Sequence, residues 1–286
     1  MAKKYAVIGS PIEHSKSPVL HRAAYRVIGV DWDYQAYRVE SGQVADFVAE
    51  MGEDLCGVSV TMPLKEEAFR FASEKDKWAT ATGVANTLWR PELATWFAFN
   101  TDVFGIAKAL TESLPTIPKR VLVLGSGATA KSAVAAAASL GVKDIRVWAR
   151  NSAAVARIAA MSDLLGVRIR HERSLRAATQ ADTLVVSTLP AGAFGDYAAR
   201  LSGGLFNRPI RSALLDVAYA AAPGSAAETW AKAGQTVIQG IEMLIWQAVA
   251  QLRIFVNGSP DDELPNESAV VAAMRHDLDL IDQAAQ

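Results

Sequence analysis

One lysine lies where it could transfer a proton. Lys65 follows the strand-like run 57–61 and Pro63, and it falls in the first turn of the helix that Pro63 is suited to begin. The field at a helix N-terminus favours anions, so it disfavours the charged ammonium and eases release of its proton. An exposed lysine tolerated at small cost explains the same position, and for Lys65 taken alone this is the simpler interpretation.

Other polar side chains lie in short stretches that carry more of them than a core needs. Ser15 and Ser17 lie in segment 9–18, where clustered hydroxyls suit a polar ligand, although Ser-Pro pairs also cap helices. Asp102 directly precedes a predicted helix, the position of an N-cap. Further candidates are Asn86, Tyr219 and Gln247. Taken singly, none of these residues establishes a site, because each also has a structural explanation.

A glycine-rich turn in the second half is typical of nucleotide binding. Residues 121–124 are consecutive apolar residues and predict a strand buried in a parallel sheet. The next residues fit the pattern G-x-G-x-x-G/A and lead into an alanine-rich helix. The glycines permit a tight turn and a close backbone approach to a pyrophosphate, which the helix N-terminus attracts. The expected dinucleotide-binding residues are Gly125, Ser126, Gly127, Ala128, Thr129 and Ala130.

The residues after the next strand favour NADP over NAD. Sites that prefer NAD usually place an acidic residue about 20 residues beyond the glycine loop, on the ribose hydroxyls. Here the predicted strand 145–148 ends in Ala149, Arg150 and Asn151, with no acid. An arginine at this point can pair with the additional phosphate of NADP. An ordinary solvated arginine at a strand end would explain Arg150 about as well. Because the acidic residue typical of NAD sites is absent, we expect NADP.

The composition narrows the class of protein. The chain has 286 residues, 51% hydrophobic and 21% charged, which predicts a globular protein with a substantial core. A net charge of -1 gives no general attraction to nucleic acid or to an anionic membrane. The one cysteine, Cys56, excludes an internal disulfide and a cysteine-based zinc cluster. With no long apolar segment, we expect a cytoplasmic protein. We further expect a monomer or homodimer without a metal site.

Short strands alternate with helices along the chain and predict an α/β fold in two domains. The prolines between residues 114 and 119 separate a helix from the strand before the glycine loop. We expect a substrate domain at 1–103, a Rossmann-like doubly wound nucleotide domain at 104–239, and helices at 240–286 that return to the first domain.

Taken in order, the polar stretches resemble those of the shikimate dehydrogenase family over nearly the whole chain. The matching segments are Gly-Ser-Pro-Ile-Glu-His-Ser-Lys-Ser-Pro (9–18), Val-Ser-Val-Thr-Met-Pro-Leu-Lys (58–65), Gly-Val-Ala-Asn-Thr (83–87), Asn-Thr-Asp (100–102), the glycine loop, Ser-Thr-Leu-Pro-Ala-Gly (187–192), Asp-Val-Ala-Tyr (216–219) and Gly-Ile-Glu-Met-Leu-Ile-Trp-Gln-Ala (240–248). Each segment is short, but the set in this order is highly specific.

The resemblance implies a reaction and a role for each candidate. The family reduces 3-dehydroshikimate to shikimate with NADPH, and Lys65 and Asp102 would be its catalytic pair. Substrate-binding residues would be Ser15, Ser17, Thr61, Asn86, Tyr219 and Gln247. Beside the glycine loop, the cofactor site would include Arg150, Thr188, Val217 and Gly240. A lysine beside a carboxylate can supply the proton that the developing alkoxide needs.

The chain departs from the family pattern at a few positions, none of them in the catalytic pair. The family commonly has asparagine at Arg22, and Asn-Arg-Thr where this chain has residues 149–151. Its proline closely follows the Asp-x-x-Tyr motif, whereas Pro223 comes later, and Glu242 stands where glycine is frequent. Three alternatives stay open. The first is a quinate/shikimate dehydrogenase of broader substrate or NAD specificity, and the second is a non-catalytic NADP-binding sensor on the same fold. The third is an aminoshikimate-type dehydrogenase, since few contacts read the ring substituent.

Overall fold

The computed structural model describes residues 3–91, 95–175, 178, 180–190, 192–195, 210–218 and 224–284. The chain divides into two compact units, one of Met1–Thr101 with Ile245–Gln286 and one of Asp102–Leu244. The boundaries between the units lie between residues 101 and 102 and between residues 244 and 245. The sequence predicts them between residues 103 and 104 and between residues 239 and 240. Within the described residues, no helix is long and apolar enough to cross a membrane.

The first unit is built on a mixed sheet in the order β2-β1-β3-β5-β6-β4. Its strands are β1 (Lys4–Gly9), β2 (Asp33–Arg38), β3 (Leu55–Val60), β4 (Glu74–Lys75), β5 (Thr87–Trp89) and β6 (Phe97–Phe99). β1 is parallel to both β2 and β3, whereas β5 is antiparallel to β3 and β6. Ile8, Leu55 and Leu88 are fully buried in the core that this sheet shares with its helices.

Helices cover this sheet. They are α1 (Ser17–Ile28), α2 (Val44–Met51), α3 (Lys65–Phe71) and α4 (Lys77–Thr82), with α11 (Glu267–Ala284) and most of α10 (Gly240–Asn257) from the C-terminal region. The buried guanidinium of Arg253 on α10 donates to both carboxylate oxygens of Glu267 on α11, at 2.7 and 2.6 Å. α11 packs against α1, where Arg26 pairs with Asp277. The C-terminal helices are thus part of the first unit.

The second unit contains a parallel sheet in the order β12-β11-β10-β7-β8-β9. Its strands are β7 (Arg120–Leu124), β8 (Asp144–Trp148), β9 (Arg168–His171), β10 (Thr183–Ser187), β11 (Ala213–Asp216) and β12 (Val237–Gln239). Counted from β7, this is the order 3-2-1-4-5-6 of the Rossmann fold, whose ligands bind where the order reverses, between the first and fourth strands. The expected α/β fold with a Rossmann-like sheet is confirmed.

The helices of the second unit are α5 (Asp102–Ser113), α6 (Ala128–Ser139), α7 (Ser152–Ala159), α8 (Ser162–Leu165) and α9 (Ala226–Lys232). The alanine-rich α6 is buried along most of its length, because small side chains allow a helix to lie close to its neighbours. Trp230 on α9 is buried in an apolar cluster, and its indole N–H donates to the hydroxyl of Ser212.

Two expectations about helix starts were wrong. Pro63 does not open α3, which begins two residues later, at Lys65. Asp102 is not an N-cap, since it is the first residue of α5. The first helix therefore begins later than the sequence pattern indicates, and the second begins one residue earlier.

Candidate active site

Four chain segments with candidate residues meet at one edge of the first sheet. In the strand register Ile8 lies beside Val60, Ser59 beside Thr87, and Thr87 beside Phe99. The carboxyl ends of β1, β3 and β6 therefore lie at the same edge as the amino end of β5. Ligands of α/β sheets bind outside the carboxyl ends of strands. This edge is the candidate substrate site.

Gly9 lets the first two segments approach closely. A Cβ atom on Gly9 would lie 2.8 Å from the carbonyl oxygen of Met62 and would collide with the methyl group of Thr61. The Thr61 N–H donates to Ile8 O at 2.9 Å and keeps the segment after β3 in line with β1. Thr61 is half-buried beside the segment that holds the candidate serines.

The two candidate serines lie at the start of α1. The Ser17 N–H donates to Ser15 Oγ at 3.4 Å, a long contact typical of a hydroxyl near a helix start. Ser17 is buried and forms a hydrogen bond with the phenol of Tyr34, whereas Ser15 is half-buried. The capping interpretation is not borne out, because the N-cap of α1 is Lys16 and no side chain caps the helix. The two serines lie in the segment that follows β1 at the candidate edge.

Lys65 and Asp102 each begin a helix, α3 and α5. The carbonyl oxygen of Lys65 accepts a hydrogen bond from the Ala85 N–H at 2.8 Å, which ties its backbone to the segment before Asn86. Lys65 is half-buried, and Asp102 is 3% exposed. Both belong to segments that leave the candidate edge of the first sheet.

Asn86, Thr101 and Gln247 form a buried hydrogen-bond cluster, with none of the three more than 7% exposed. Asn86 Nδ2 donates to Thr101 Oγ1 at 2.9 Å and to Gln247 Oε1 at 3.2 Å. Asn86 Oδ1 accepts the Thr101 N–H at 2.8 Å and the Thr87 hydroxyl at 2.9 Å. The structure thus joins two of the candidate substrate residues, Asn86 and Gln247, although 161 positions separate them in the chain.

A second buried polar layer was not expected from the sequence. Gln251 lies one helical turn after Gln247, and its side chain is hydrogen-bonded to Ser59, Thr87 and His21. The i, i+4 spacing of two glutamines in an apolar helix is the sequence signal that could have revealed Gln251. Thr101 lies in the segment 100–102 that matches the family, but the resemblance implies no role for it.

His21 is the titratable member of this layer. Its ring is fully buried, stacks on Tyr34 with centroids 4.0 Å apart, and lies 3.2 Å from Gln251 Oε1 through Nε2. Burial lowers the pKa of His21 to about 3, and the hydrogen bond to Gln251 opposes this shift only in part. The imidazole is therefore neutral at physiological pH.

The glycine loop of the second unit has the geometry that a pyrophosphate needs. Gly125 directly follows β7 with φ +115°, and a Cβ atom there would collide with the hydroxyl of Thr188. Gly127 is the N-cap of α6, where no side chain caps the first helical amides and a Cβ atom would meet no atom within 4 Å. Uncapped amides at a helix start are donors for an anion. This loop fits the dinucleotide expected from the sequence.

The neighbouring strands end at the same edge as the glycine loop. Thr188, after β10, donates both its N–H and its hydroxyl to Leu124 O at 2.8 Å, and the Val217 N–H donates to Ser187 O at 3.0 Å. Gly240 is needed at the end of β12, because a Cβ atom there would lie 2.5 Å from Val217 O. The structure thus brings Thr188, Val217 and Gly240 to the carboxyl edge of the Rossmann-like sheet.

Arg150 and Asn151 follow β8 at this edge, and both are exposed. Asn151 caps α7 by accepting the Ala154 N–H at 3.0 Å, so its side chain is occupied by the helix. Arg150 is a cationic residue at this strand end, where the 2′-phosphate of NADP is recognised in Rossmann folds. Tyr219, the remaining candidate, lies outside the described residues.

A substitution in the glycine loop tests this geometry. Gly125→Ala forces a side chain into a left-handed conformation and against Thr188, at a cost of about 1–3 kcal/mol of stability. We expect the KM for NADP to rise at least tenfold, because the loop must shift away from the phosphates. Gly141→Ala is the matched control, since Gly141 has φ +83° in the same unit with no atom near its Cβ position. An equal NADP KM in the two variants would contradict the assignment.

Comparison with known proteins agrees with the resemblance seen in the sequence. Residues 7–88 match the family model described as shikimate dehydrogenase substrate binding domain. An NADP(+) shikimate dehydrogenase of Crocosphaera subtropica is 30% identical over 89% of this chain and 91% of its own length.

Solved structures agree over both units. The shikimate dehydrogenase of Mycobacterium tuberculosis is 40% identical with a TM-score of 0.81, covering 96% of this chain and 99% of that protein. The Thermus thermophilus enzyme, solved in complex with NADP(H) and shikimate, is 28% identical with a TM-score of 0.76, covering 96% and 99% of the two chains. The chain belongs to the shikimate dehydrogenase family.

Proposed function

We propose that this protein catalyses the reversible NADP-dependent reduction of 3-dehydroshikimate to shikimate, a step towards chorismate and the aromatic amino acids. The observation that carries this proposal is the 40% identity to the Mycobacterium tuberculosis enzyme over 96% of the chain, because that coverage includes both sheet edges with candidate residues. A cytoplasmic location, and a state as monomer or homodimer, stay predictions of the sequence.

The proposed chemistry combines the cofactor with an acid–base pair. When bound, NADPH supplies a hydride to the ring ketone of the substrate. Lys65 donates the proton that converts the resulting alkoxide into a hydroxyl, and Asp102 stabilises its ammonium as the second member of the acid–base pair. In the reverse direction Lys65 accepts that proton. No metal is needed, because the lysine neutralises the charge that develops on oxygen.

Substrate recognition is assigned to the buried edge of the first sheet. Ser15, Ser17 and Thr61 would bind the hydroxyl and carboxylate groups of the ring, together with Asn86 and Gln247. Tyr219, outside the described residues, is proposed as a further substrate-binding residue on the family resemblance alone. The Asn86 to Gln247 bond, at 3.2 Å, is longer than the bonds that the Asn86 side chain forms with Thr87 and Thr101, at 2.8 to 3.1 Å. A substrate hydroxyl that inserts between these two amides can accept from one and donate to the other. The loss of a weak bond is then offset by two new ones.

Cofactor binding is assigned to the edge of the Rossmann-like sheet. The backbone amides of residues 125–130 would bind the pyrophosphate, while Thr188, Val217 and Gly240 would lie along the remainder of the dinucleotide. Arg150 would pair with the 2′-phosphate that distinguishes NADP from NAD. This charge-assisted contact is the proposed origin of cofactor preference.

Replacement of Arg150 by alanine is expected to raise the KM for NADP more than the KM for NAD. A hydrogen bond to a charged group contributes about 1.5–3 kcal/mol, so Arg150→Ala should raise the KM for NADP about ten- to a hundredfold. The KM for NAD should change less than about threefold, since NAD lacks the phosphate. Arg157→Ala on α7 is the control, because Arg157 is also exposed. Equal effects on NADP and NAD would remove Arg150 from the phosphate site.

The function is tested by initial rates of shikimate oxidation with NADP, repeated with NAD and with quinate. Fast turnover of shikimate with NADP, and slow turnover of the other pairs, is the expected result. Comparable rates with NAD or quinate would move the protein to the branch of broader specificity. An absence of single-turnover NADPH oxidation with 3-dehydroshikimate would instead favour a non-catalytic sensor.

A further inference from the structure

We propose that Gln251 is a positioning residue that holds Asn86 and Gln247 in the orientation needed to bind the substrate. This inference rests on the proposed function of those two residues. It concerns a buried side chain whose amide forms its hydrogen bonds with protein groups.

The amide of Gln251 is held at both ends. Its Oε1 accepts the hydroxyl of Ser59 at 2.8 Å and lies 3.2 Å from His21 Nε2, which makes Nε2 the protonated nitrogen of that ring. Its Nε2 donates to the carbonyl oxygen of Asn86 at 3.2 Å and to Thr87 Oγ1 at 3.1 Å. With two donors and two acceptors satisfied, the side chain has one orientation.

The donor end of Gln251 acts on Asn86 by two routes. One is direct, through the Asn86 carbonyl oxygen, which also accepts the Val60 N–H at 2.7 Å. The other passes through Thr87, whose hydroxyl has a single hydrogen. Because Thr87 accepts from Gln251, that hydrogen is available to Asn86 Oδ1, 2.9 Å away. Gln251 thus fixes both the backbone and the side-chain oxygen of Asn86, and with them the direction in which Nδ2 points.

The acceptor end of Gln251 extends the same arrangement to the start of α1. Ser59 donates to Gln251 and accepts from Tyr34 at 2.7 Å, and Tyr34 is hydrogen-bonded to Ser17. Gln251 lies one turn after Gln247 on α10, so its bonds to β3 and β5 also fix the helix face that carries Gln247. Three of the proposed substrate residues, namely Ser17, Asn86 and Gln247, are therefore linked through one buried side chain.

Two substitutions test the proposal. Gln251→Met keeps the length of the side chain and removes both ends of the amide, whereas Gln251→Glu keeps the acceptor end and removes the donor end. We expect each to raise the KM for shikimate at least tenfold, the change that a loss of about 1.4 kcal/mol produces, with kcat reduced less. The KM for NADP should stay within about twofold, because the network lies in the first unit.

A purely structural role would give a different result. Val249→Ala, at a fully buried position of the same helix, removes packing without touching the network. It is expected to lower the melting temperature and leave the KM for shikimate unchanged. A KM within twofold of wild type in folded Gln251→Met and Gln251→Glu would overturn the proposal. The wild-type assay with shikimate and NADP tests the proposed function separately, since its failure would be seen before any variant is compared.

Discussion

Replacement of Lys65 by methionine is expected to lower the turnover of shikimate by at least about a hundredfold, the lower range for loss of a general acid–base group. Methionine keeps a long unbranched side chain but cannot carry the proton that the alkoxide requires. Lys65 is the first residue of α3, and its backbone is fixed by Ala85. The fold of the segment should therefore survive the change, and the loss should appear in kcat more than in the KM for NADP.

A second lysine in the same unit provides the matched control. Lys77 is also the first residue of a helix, α4, and is exposed. Lys77→Met should leave kcat unchanged, because a lysine at a helix start has no catalytic effect unless it reaches the substrate. Steady-state rates and thermal melts of both variants make the comparison. A kcat within threefold of wild type for folded Lys65→Met would remove Lys65 from the chemistry.

The second large effect is a loss of stability in mild acid caused by His21. In the unfolded chain a histidine has a pKa of 6.5, whereas burial lowers the pKa of His21 to about 3 in the folded protein. As the pH falls below 6.5, the unfolded chain takes up a proton that the folded protein excludes, so the free energy of unfolding decreases until the pH reaches the folded pKa. Between pH 7 and pH 4 this one residue should reduce that free energy by about 3 kcal/mol.

A variant without the imidazole isolates this contribution from that of the acidic residues. His21→Gln has no titratable group but keeps an amide N–H that can donate towards Gln251. Its free energy of unfolding, from urea denaturation at several pH values, should fall less steeply than that of wild type over this range. Parallel curves for the two proteins would show that folding does not lower the pKa of His21. The slopes are compared because His21→Gln also loses the stacking on Tyr34.

Much of the fold follows from local patterns that the sequence shows directly. The four apolar residues before Gly125 and the alanine-rich run after it predicted β7 and α6, because buried strands and tight glycine turns depend on neighbours a few positions away. β9 has no such signal, because three of its four residues are charged or polar and only Ile169 is buried. A strand at the edge of a sheet does not need a continuous apolar run.

The family, the Rossmann-like half and the residues proposed for catalysis and binding can be read from the sequence, since they lie in short segments whose order is specific. The polar groups that support these residues are visible only in the folded structure. Gln251 contacts His21 and Ser59 across 230 and 192 positions of the chain, and these bonds exist only when α10 packs on β3 and β5. No local pattern carries that information, because the position of α10 depends on the packing of the whole first unit. The chemistry can therefore be found in the sequence, but the network that orients it cannot.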